Sequence, residues 1–260
     1  MTGSSAIVER LRTAGCVFAE DEARLLLEAA NGRDHLEHLV EQRGQGFPLE
    51  HILGWVDFCG SRMIIRPGVF VPRRRTEYLV RKAAHLVAAL GKPEAVVVDL
   101  CCGSGAIGAA VSDLVGGCEL YAADIDPNAV ACARLNVQPR SGHVFEGDLY
   151  DALPPRLRGR VEVLVVNAPY VPTDMIALMP PEARLHESAA ALDGGTDGLE
   201  VQRRVAGEAA EWLAPGGALV LETSSRQAAG TARVMAAAGL AAEVFVEDED
   251  GATVVVASIP

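Results

Sequence analysis

Val96-Val-Val-Asp-Leu-Cys-Cys-Gly-Ser-Gly-Ala-Ile-Gly108 is the stretch from which the fold can be read. Three β-branched residues in succession predict a strand, Gly103 and Gly105 a tight turn, and the small and apolar residues after them the first turn of a helix. Glycines in such a turn take backbone angles closed to other residues and let a ligand approach the main chain. In an open α/β sheet, ligands bind outside the carboxyl ends of the strands. The stretch therefore places a candidate site at Asp99, Cys101, Cys102, Gly103, Ser104 and Gly105. Phosphate-binding enzymes use similar turns, so the ligand has to be read elsewhere.

From Thr76 onward, apolar runs alternate with helical periods. The pattern predicts helix 76–90, strand 95–99, helix 105–115, strand 118–123, helix 127–136, and strands 143–146 and 162–166. Helix 199–213, strand 217–222 and helix 226–238 follow. Repeated strand-helix units imply a parallel sheet. The last two strands, 243–247 and 252–258, are joined by the short acidic turn through Asp248, Glu249, Asp250 and Gly251, so they must pair as an antiparallel hairpin. A seven-stranded, mostly parallel sheet closed by an antiparallel hairpin resembles the class I methyltransferase fold more than an ordinary dinucleotide-binding fold.

Residues 1–45 read as a small helical module, with Leu25, Leu26, Leu27, Leu36, Leu39 and Val40 at spacings that line one face. Residues 46–75, rich in Gly and Pro, read as a structured connector with a short strand from Arg62 to Arg66 in a hairpin. Residues 76–260 form the α/β domain.

Half of the 260 residues are apolar, enough for a sizeable core. A net charge of −12 disfavours docking along a phosphate backbone, which needs clustered Lys and Arg, and so argues against a nucleic-acid substrate. The six cysteines lack the paired spacing of a zinc site and are expected as small buried hydrophobes in a reducing cytoplasm. The first residues carry charges and no long apolar run, so neither a signal peptide nor a membrane span is expected.

Tyr121-Ala-Ala-Asp124 ends the second strand with an acid about twenty residues after the glycine turn, with Ile125 beside it, where a carboxylate accepts both hydroxyls of a ribose. Such an acid serves a nicotinamide cofactor equally well. Asp126-Pro127-Asn128 reads instead as the cap and first turn of the next helix. Asp148, after the third strand, is placed to accept from an exocyclic adenine amine, with Leu149 packing on the ring; a plain turn aspartate is the competing reading.

Asn167-Ala168-Pro169-Tyr170 follows the apolar run Val161 to Val166 and decides between these ligands. The lone pair of an amide nitrogen is delocalised into its carbonyl, so methylating it gains from acceptors that hold both N–H groups. The Asn167 side-chain oxygen and the Ala168 carbonyl fit that task. Alignment of the nitrogen with a sulfonium methyl then supplies much of the rate, and no strong general base is required. Tyr170 would pack on the planar group while Pro169 stiffens the turn. Together the motifs point to methyl transfer from S-adenosylmethionine to a planar nitrogen.

With these residues in hand, the chain resembles the HemK/PrmC family of protein glutamine N5-methyltransferases, and most of all its actinobacterial PrmC-related branch. The resemblance runs through Pro48-Leu-Glu-His-Ile-Leu-Gly54, Val71-Pro-Arg-Arg-Arg-Thr-Glu77, Asp99 to Gly105, Asp124, Asn167 to Tyr170, Glu187 with Ala191-Leu-Asp-Gly-Gly195, Asp197-Gly-Leu199, and Pro215-Gly-Gly217 before Glu222. It implies S-adenosylmethionine held by the glycine turn, Asp124, Leu149 and Asn167, and a protein glutamine gripped by Asn167 through Tyr170. In the best-known members that glutamine lies in the Gly-Gly-Gln loop of a peptide-chain release factor, which the helical module helps to recognise.

Four features depart from the family pattern. Ala168 stands where proline is usual, which keeps the carbonyl and loses the preset backbone angle. Cys101 and Cys102 replace a glycine and a small residue, a change that ordinary backbone angles at Cys101 would accommodate. Arg74 and Arg75 replace a Pro-acid pair, so Arg73, Arg74 and Arg75 form a row, read first as solvated charge; guanidinium groups at the site would suit a carboxylate or phosphate on another substrate. The helical module is short. These departures bear on the acceptor more than on the reaction. They leave two alternatives: N-methylation of a small-molecule amide or amine or an exocyclic base amine, and S-adenosylmethionine binding without catalysis.

The segment Val171 to Gly198 is too long and too rich in Pro and Gly for an ordinary connection and is expected to cover the substrate. Within it His186 and Glu187 read as structural, with Glu187 bonding loop backbone. His35 and His38 read as surface residues.

Overall fold

A computed structural model of the protein describes residues 3–92, 94–247 and 251–260. Helices α1 (Ser4–Thr13), α2 (Ala19–Ala29) and α3 (Arg33–Gly44) each turn one stripe inward, burying Ile7, Leu11, Ala23, Leu26, Leu36, Leu39 and Val40 together. Leu25 is only half-buried and Leu27 is exposed, against expectation. Consecutive helical residues lie about 100° apart and cannot share one stripe. A short helix, α4 (Leu49–Leu53), adds Leu49, Ile52 and Leu53 to the same cluster, so the helical packing extends into the segment read as connector. His35 and His38 are exposed, as expected.

Strands β1 (Trp55–Phe58) and β2 (Ser61–Ile64) form the expected antiparallel hairpin. Its attachment to the core was not legible beforehand. Asn136 accepts from the Ile64 amide (2.8 Å) and donates to the Ile64 and Ser104 carbonyls (both 2.9 Å), joining the hairpin to the glycine turn.

The α/β portion follows as α5 (Glu77–Ala89), β3 (Val96–Leu100), α6 (Ala106–Val115), β4 (Glu119–Asp124), α7 (Pro127–Val137), β5 (His143–Glu146) and β6 (Val161–Val166). Two short helices, α8 (Pro181–His186) and α9 (Ala189–Leu192), interrupt the long segment after β6. Then come α10 (Glu200–Trp212), β7 (Leu213–Thr223), α11 (Ala228–Ala237), β8 (Ala241–Glu247) and β9 (Ala252–Ser258). Seven of these strands make one sheet in the order β5-β4-β3-β6-β7-β9-β8, in which β9 runs antiparallel to both of its neighbours, β7 and β8, and the other neighbouring pairs are parallel. The expected hairpin is present; its turn residues 248–250 lie outside the described residues.

Strand β3 is buried along its whole length and alternates between two cores. Val96, Val98 and Leu100 join a cluster with Trp212 and Leu164, while Val97 joins Leu79, Val80 and Val111 on the other face. Helices therefore cover both faces of the sheet. The chain runs from β3 toward β5 on one side and restarts at β6 on the other, so the strand order reverses beside β3. A crevice opens at the carboxyl ends of the strands at such a switch point. Among the described residues no helix is long and apolar enough to cross a membrane.

Candidate functional site

The crevice holds a cavity of about 350 Å³, and the turns after β3, β4, β5 and β6 form its wall. Cys101, Cys102, Gly103, Ser104, Asp124, Ile125, Asp148, Leu149, Asn167, Ala168, Pro169 and Tyr170 all line it, so twelve of the fourteen residues singled out in the sequence converge on one space.

Asp99 and Gly105 do not reach that space, and each has a different task. Asp99 lies beneath the turn with no exposed surface, accepting from the Gly108 amide at 2.8 Å, and its second oxygen has no hydrogen-bond partner among the described residues. Burial pushes its carboxyl up to about 8, with the neighbouring Asp124 adding to the shift and the Gly108 amide opposing it. Gly105 caps α6 at a φ of +73°, and a Cβ there would stand 2.7 Å from Val137 and 3.1 Å from Ala133. It is a packing glycine. Gly103, at φ +54°, would meet nothing within 4 Å, so its main chain is open to a ligand.

Cys101 does not have the ordinary backbone angles that the sequence reading required of it: its φ is +58°, in the left-handed region that favours glycine. The turn sets this conformation, with the Cys102 amide bonded to the Ala123 carbonyl at 3.0 Å. Leu149 is held at φ +48° on the cavity wall, which places two strained non-glycine residues beside one site. Cys102 is buried and burial raises its thiol well above the usual range; all six cysteines are free.

Asp124 ends β4 and accepts from the Gly103 amide (2.8 Å) and the Asp126 amide (2.9 Å), which draws the glycine turn against β4. Burial raises its carboxyl, and those two amides pull it back. Asp126 caps α7 through the Asn128 amide, with Pro127 in the first turn, as expected. Ile125 is 59% exposed at the cavity, an apolar side chain with little protein to cover it. Asp148 is paired with Arg204 at 2.7 Å, a partner that the sequence did not suggest, on α10 and also in the cavity wall.

The remaining turn of the wall follows β6. The Asn167 side chain makes no hydrogen bond to the described residues, so its acceptor and donor capacity faces the cavity unspent. Ala168 is almost fully buried. Tyr170 is held at both ends, its carbonyl accepting from Gln227 (2.9 Å) and its hydroxyl from Arg75 (2.8 Å). Burial raises the Tyr170 phenol, Glu222 adds to the shift, and Arg75 opposes it.

The arginine row is only partly the solvated run expected: Arg74 and Arg75 are exposed and Arg73 is half-buried, yet two of the three are tied to the site. Arg73 donates to Glu187 at 2.6 Å and lies over the Phe70 ring, while Arg75 reaches both Tyr170 and Glu222; both line the cavity. Each of these two guanidinium groups pairs with a buried carboxylate distant in sequence, a pairing that local composition does not display. Glu187 also accepts from the Val71 amide at 3.3 Å, the backbone bond expected of it. Its segment meets the helical portion where Arg43 reaches Glu182 and where Phe47 packs against His186, 4.2 Å between ring centres. Met179, Ala191 and Leu192 from this segment join the cavity wall.

The sheet order and the cofactor-type crevice define a class I S-adenosylmethionine-dependent methyltransferase. Residues 62–197 match the Methyltransferase small domain family. The chain is 36% identical over 196 residues to a release factor glutamine methyltransferase of Geobacter sulfurreducens, covering 73% of this chain and 65%, a little under two thirds, of that protein. It is 34% identical over 255 residues to a release factor glutamine methyltransferase of Deinococcus radiodurans, covering 90% of this chain and 89% of that one. It is also 35% identical over 205 residues to a 4-amino-L-phenylalanine/4-methylamino-L-phenylalanine methyltransferase of Streptomyces pristinaespiralis, covering 78% and 70%. Among solved structures, the Thermus thermophilus 16S rRNA N2 G1207 methyltransferase in complex with AdoMet and guanosine superposes with a TM-score of 0.56 at 18% identity, over 79% of this chain and 50% of that one. The chain belongs to the release factor glutamine methyltransferase family.

Proposed function

We propose that the protein transfers a methyl group from S-adenosylmethionine to the side-chain amide nitrogen of a glutamine in a protein, and that the acceptor is a peptide-chain release factor. The observation that carries this reading is the Asn167 side chain, in the cavity wall beside the Ala168 peptide and without a hydrogen-bond partner among the described residues. Its oxygen and the Ala168 carbonyl are the two acceptors that a planar NH₂ group needs.

The cavity residues fit the cofactor. Its 350 Å³ lies within the roughly 300–1,000 Å³ of small-molecule sites. Gly103 offers an open main chain, Asp124 a carboxylate for the ribose, Asp148 an acceptor for the adenine amine, and Ile125 with Leu149 apolar surface for the ring. Asp99 and Gly105 shape this cradle from behind. The cofactor supplies an electrophilic methyl on a sulfonium sulfur.

Every other contribution comes from the chain. Asn167 and the Ala168 carbonyl fix both N–H groups of the acceptor and so aim its nitrogen. Tyr170 packs against the planar group, and Pro169 limits the turn. The 171–198 segment, contributing Met179 and Leu192 to the wall, excludes water from the acceptor end. The helical portion meets that same segment through Arg43 and Phe47, which suits recognition of a protein acceptor. The cytoplasm, where release factors act, is the working place this reading implies.

A second reading is favoured by the relative that methylates an amino-substituted phenylalanine: an arylamine also presents two N–H groups to Asn167 and Ala168. Incubation with methyl-labelled S-adenosylmethionine, host release factors, 4-amino-L-phenylalanine and a total lysate separates the two. Label on the release-factor Gly-Gly-Gln glutamine supports the first reading. Label confined to small molecules overturns it in favour of the second.

A further inference from the structure

We propose that Arg75 is a positioning residue for methyl transfer: braced by the buried Glu222, it holds the Tyr170 hydroxyl and so fixes the ring that walls the acceptor end of the cavity. The inference rests on the reading that the acceptor lies along Asn167 to Tyr170.

Glu222 lies near the end of β7 and is 2% exposed, with one carboxylate oxygen lacking a hydrogen-bond partner among the described residues. A charge in that position is costly unless a counter-charge stands beside it. Arg75 supplies one, its Nε 3.7 Å from Glu222 Oε1. The same guanidinium donates through Nη2 to the Tyr170 hydroxyl at 2.8 Å. Gln227 meanwhile holds the Tyr170 carbonyl at 2.9 Å. The tyrosine is thus anchored by its main chain and by the far end of its ring. Only a residue long enough to reach past Glu222 to the phenol can make both contacts, and a planar guanidinium does so with separate N–H groups.

The residue at position 75 decides what bears on the phenol. An acid here would face Glu222 and repel it, and no donor would reach the phenol. An arginine here therefore determines what holds the acceptor wall, not merely its surface charge. The groups bearing on the Tyr170 phenol are Glu222, Arg75 and Arg73, and the two arginines oppose the upward push of burial.

Two readouts on the full-length protein test the brace. Tyrosine labelled with ¹³C at Cζ is followed by NMR against pH, with Tyr170→Phe used to assign the resonance. Removal of the guanidinium in Arg75→Met should move the onset of Tyr170 titration up by about half a pH unit or more, and Arg75→Lys should restore part of it. An unchanged onset in Arg75→Met overturns the proposal. Where Arg75→Met fails to fold because it strands Glu222, Arg75→Met/Glu222→Leu is compared with Glu222→Leu alone, which shares the loss of the Glu222 charge, and the same upward shift is expected between those two.

In the methylation assay, Arg75→Met and Tyr170→Phe should each lower kcat about tenfold while the dissociation constant of S-adenosylmethionine stays within about twofold. The double variant should be no worse than either single one, because both remove the same contact. Losses that multiply, or that appear only as weaker cofactor binding, overturn the proposal. If the unsubstituted enzyme methylates no release factor, the acceptor reading falls and the NMR titration, which needs no acceptor, decides the brace alone.

Discussion

Replacing Asp99 by Asn should make the protein more stable, and increasingly so as the pH rises. Asp99 has no exposed surface, accepts one amide hydrogen bond and leaves its other oxygen without a hydrogen-bond partner among the described residues, a setting that pushes its carboxyl from 3.8 in the unfolded chain to about 8 in the fold. Between those values the folded state binds a proton that the unfolded state has released, so stability falls as pH rises through the window. Each pH unit inside it costs about 1.4 kcal/mol. Asparagine preserves the shape and the acceptor for Gly108 but carries no charge. From pH 5.5 to 7.5 the variant should therefore gain roughly 2.5 kcal/mol over the unsubstituted protein. Urea unfolding of both proteins at the two pH values measures this, as a midpoint difference that widens by about 1 M. Parallel pH profiles for the two would refute the reasoning and show that the Asp99 carboxyl is not held protonated by the fold.

Gly105→Ala should destabilise the fold by about 2–3 kcal/mol in the same assay, since its Cβ would meet Val137 and Ala133 at a φ of +73°; a change under about 0.5 kcal/mol would contradict the packing role. Asp124→Ala should weaken S-adenosylmethionine binding at least about tenfold by calorimetry, and an unchanged dissociation constant would remove it from the ribose site. Asn167→Ala should lower turnover by about a hundredfold or more with a much smaller change in cofactor affinity, and a nearly active variant would sink its assigned role.

The elements around the glycine turn were legible in the sequence because their signals are local. β-Branched residues, turn glycines and an acid-proline cap each act within a few positions, and the hairpin of β8 and β9 followed from the shortness of its turn. The four turns that meet at the cavity were legible for the same reason: each closes a strand of a parallel sheet at its carboxyl end. What stayed hidden depends on partners far apart in the chain. Arg75 and Tyr170 are separated by 95 positions and Arg73 and Glu187 by 114, so two arginines that look merely solvated in sequence are tied to partners that local composition does not display. Asn136 looks like any helical polar residue until the hairpin lies beside it. The left-handed angle of Cys101 is imposed by closure of the turn, which residue type alone does not reveal. Leu25 and Leu27 erred differently: the period was right, but three adjacent leucines were assigned to one face.

A crystal structure with S-adenosylhomocysteine and a Gly-Gly-Gln peptide from a release factor tests the central claim most directly. The account predicts the glutamine amide nitrogen within hydrogen-bond distance of both the Asn167 side-chain oxygen and the Ala168 carbonyl, with the Tyr170 ring against its plane. A peptide bound with its glutamine outside the Asn167 to Tyr170 turn, or an amide nitrogen that meets neither oxygen, would contradict it.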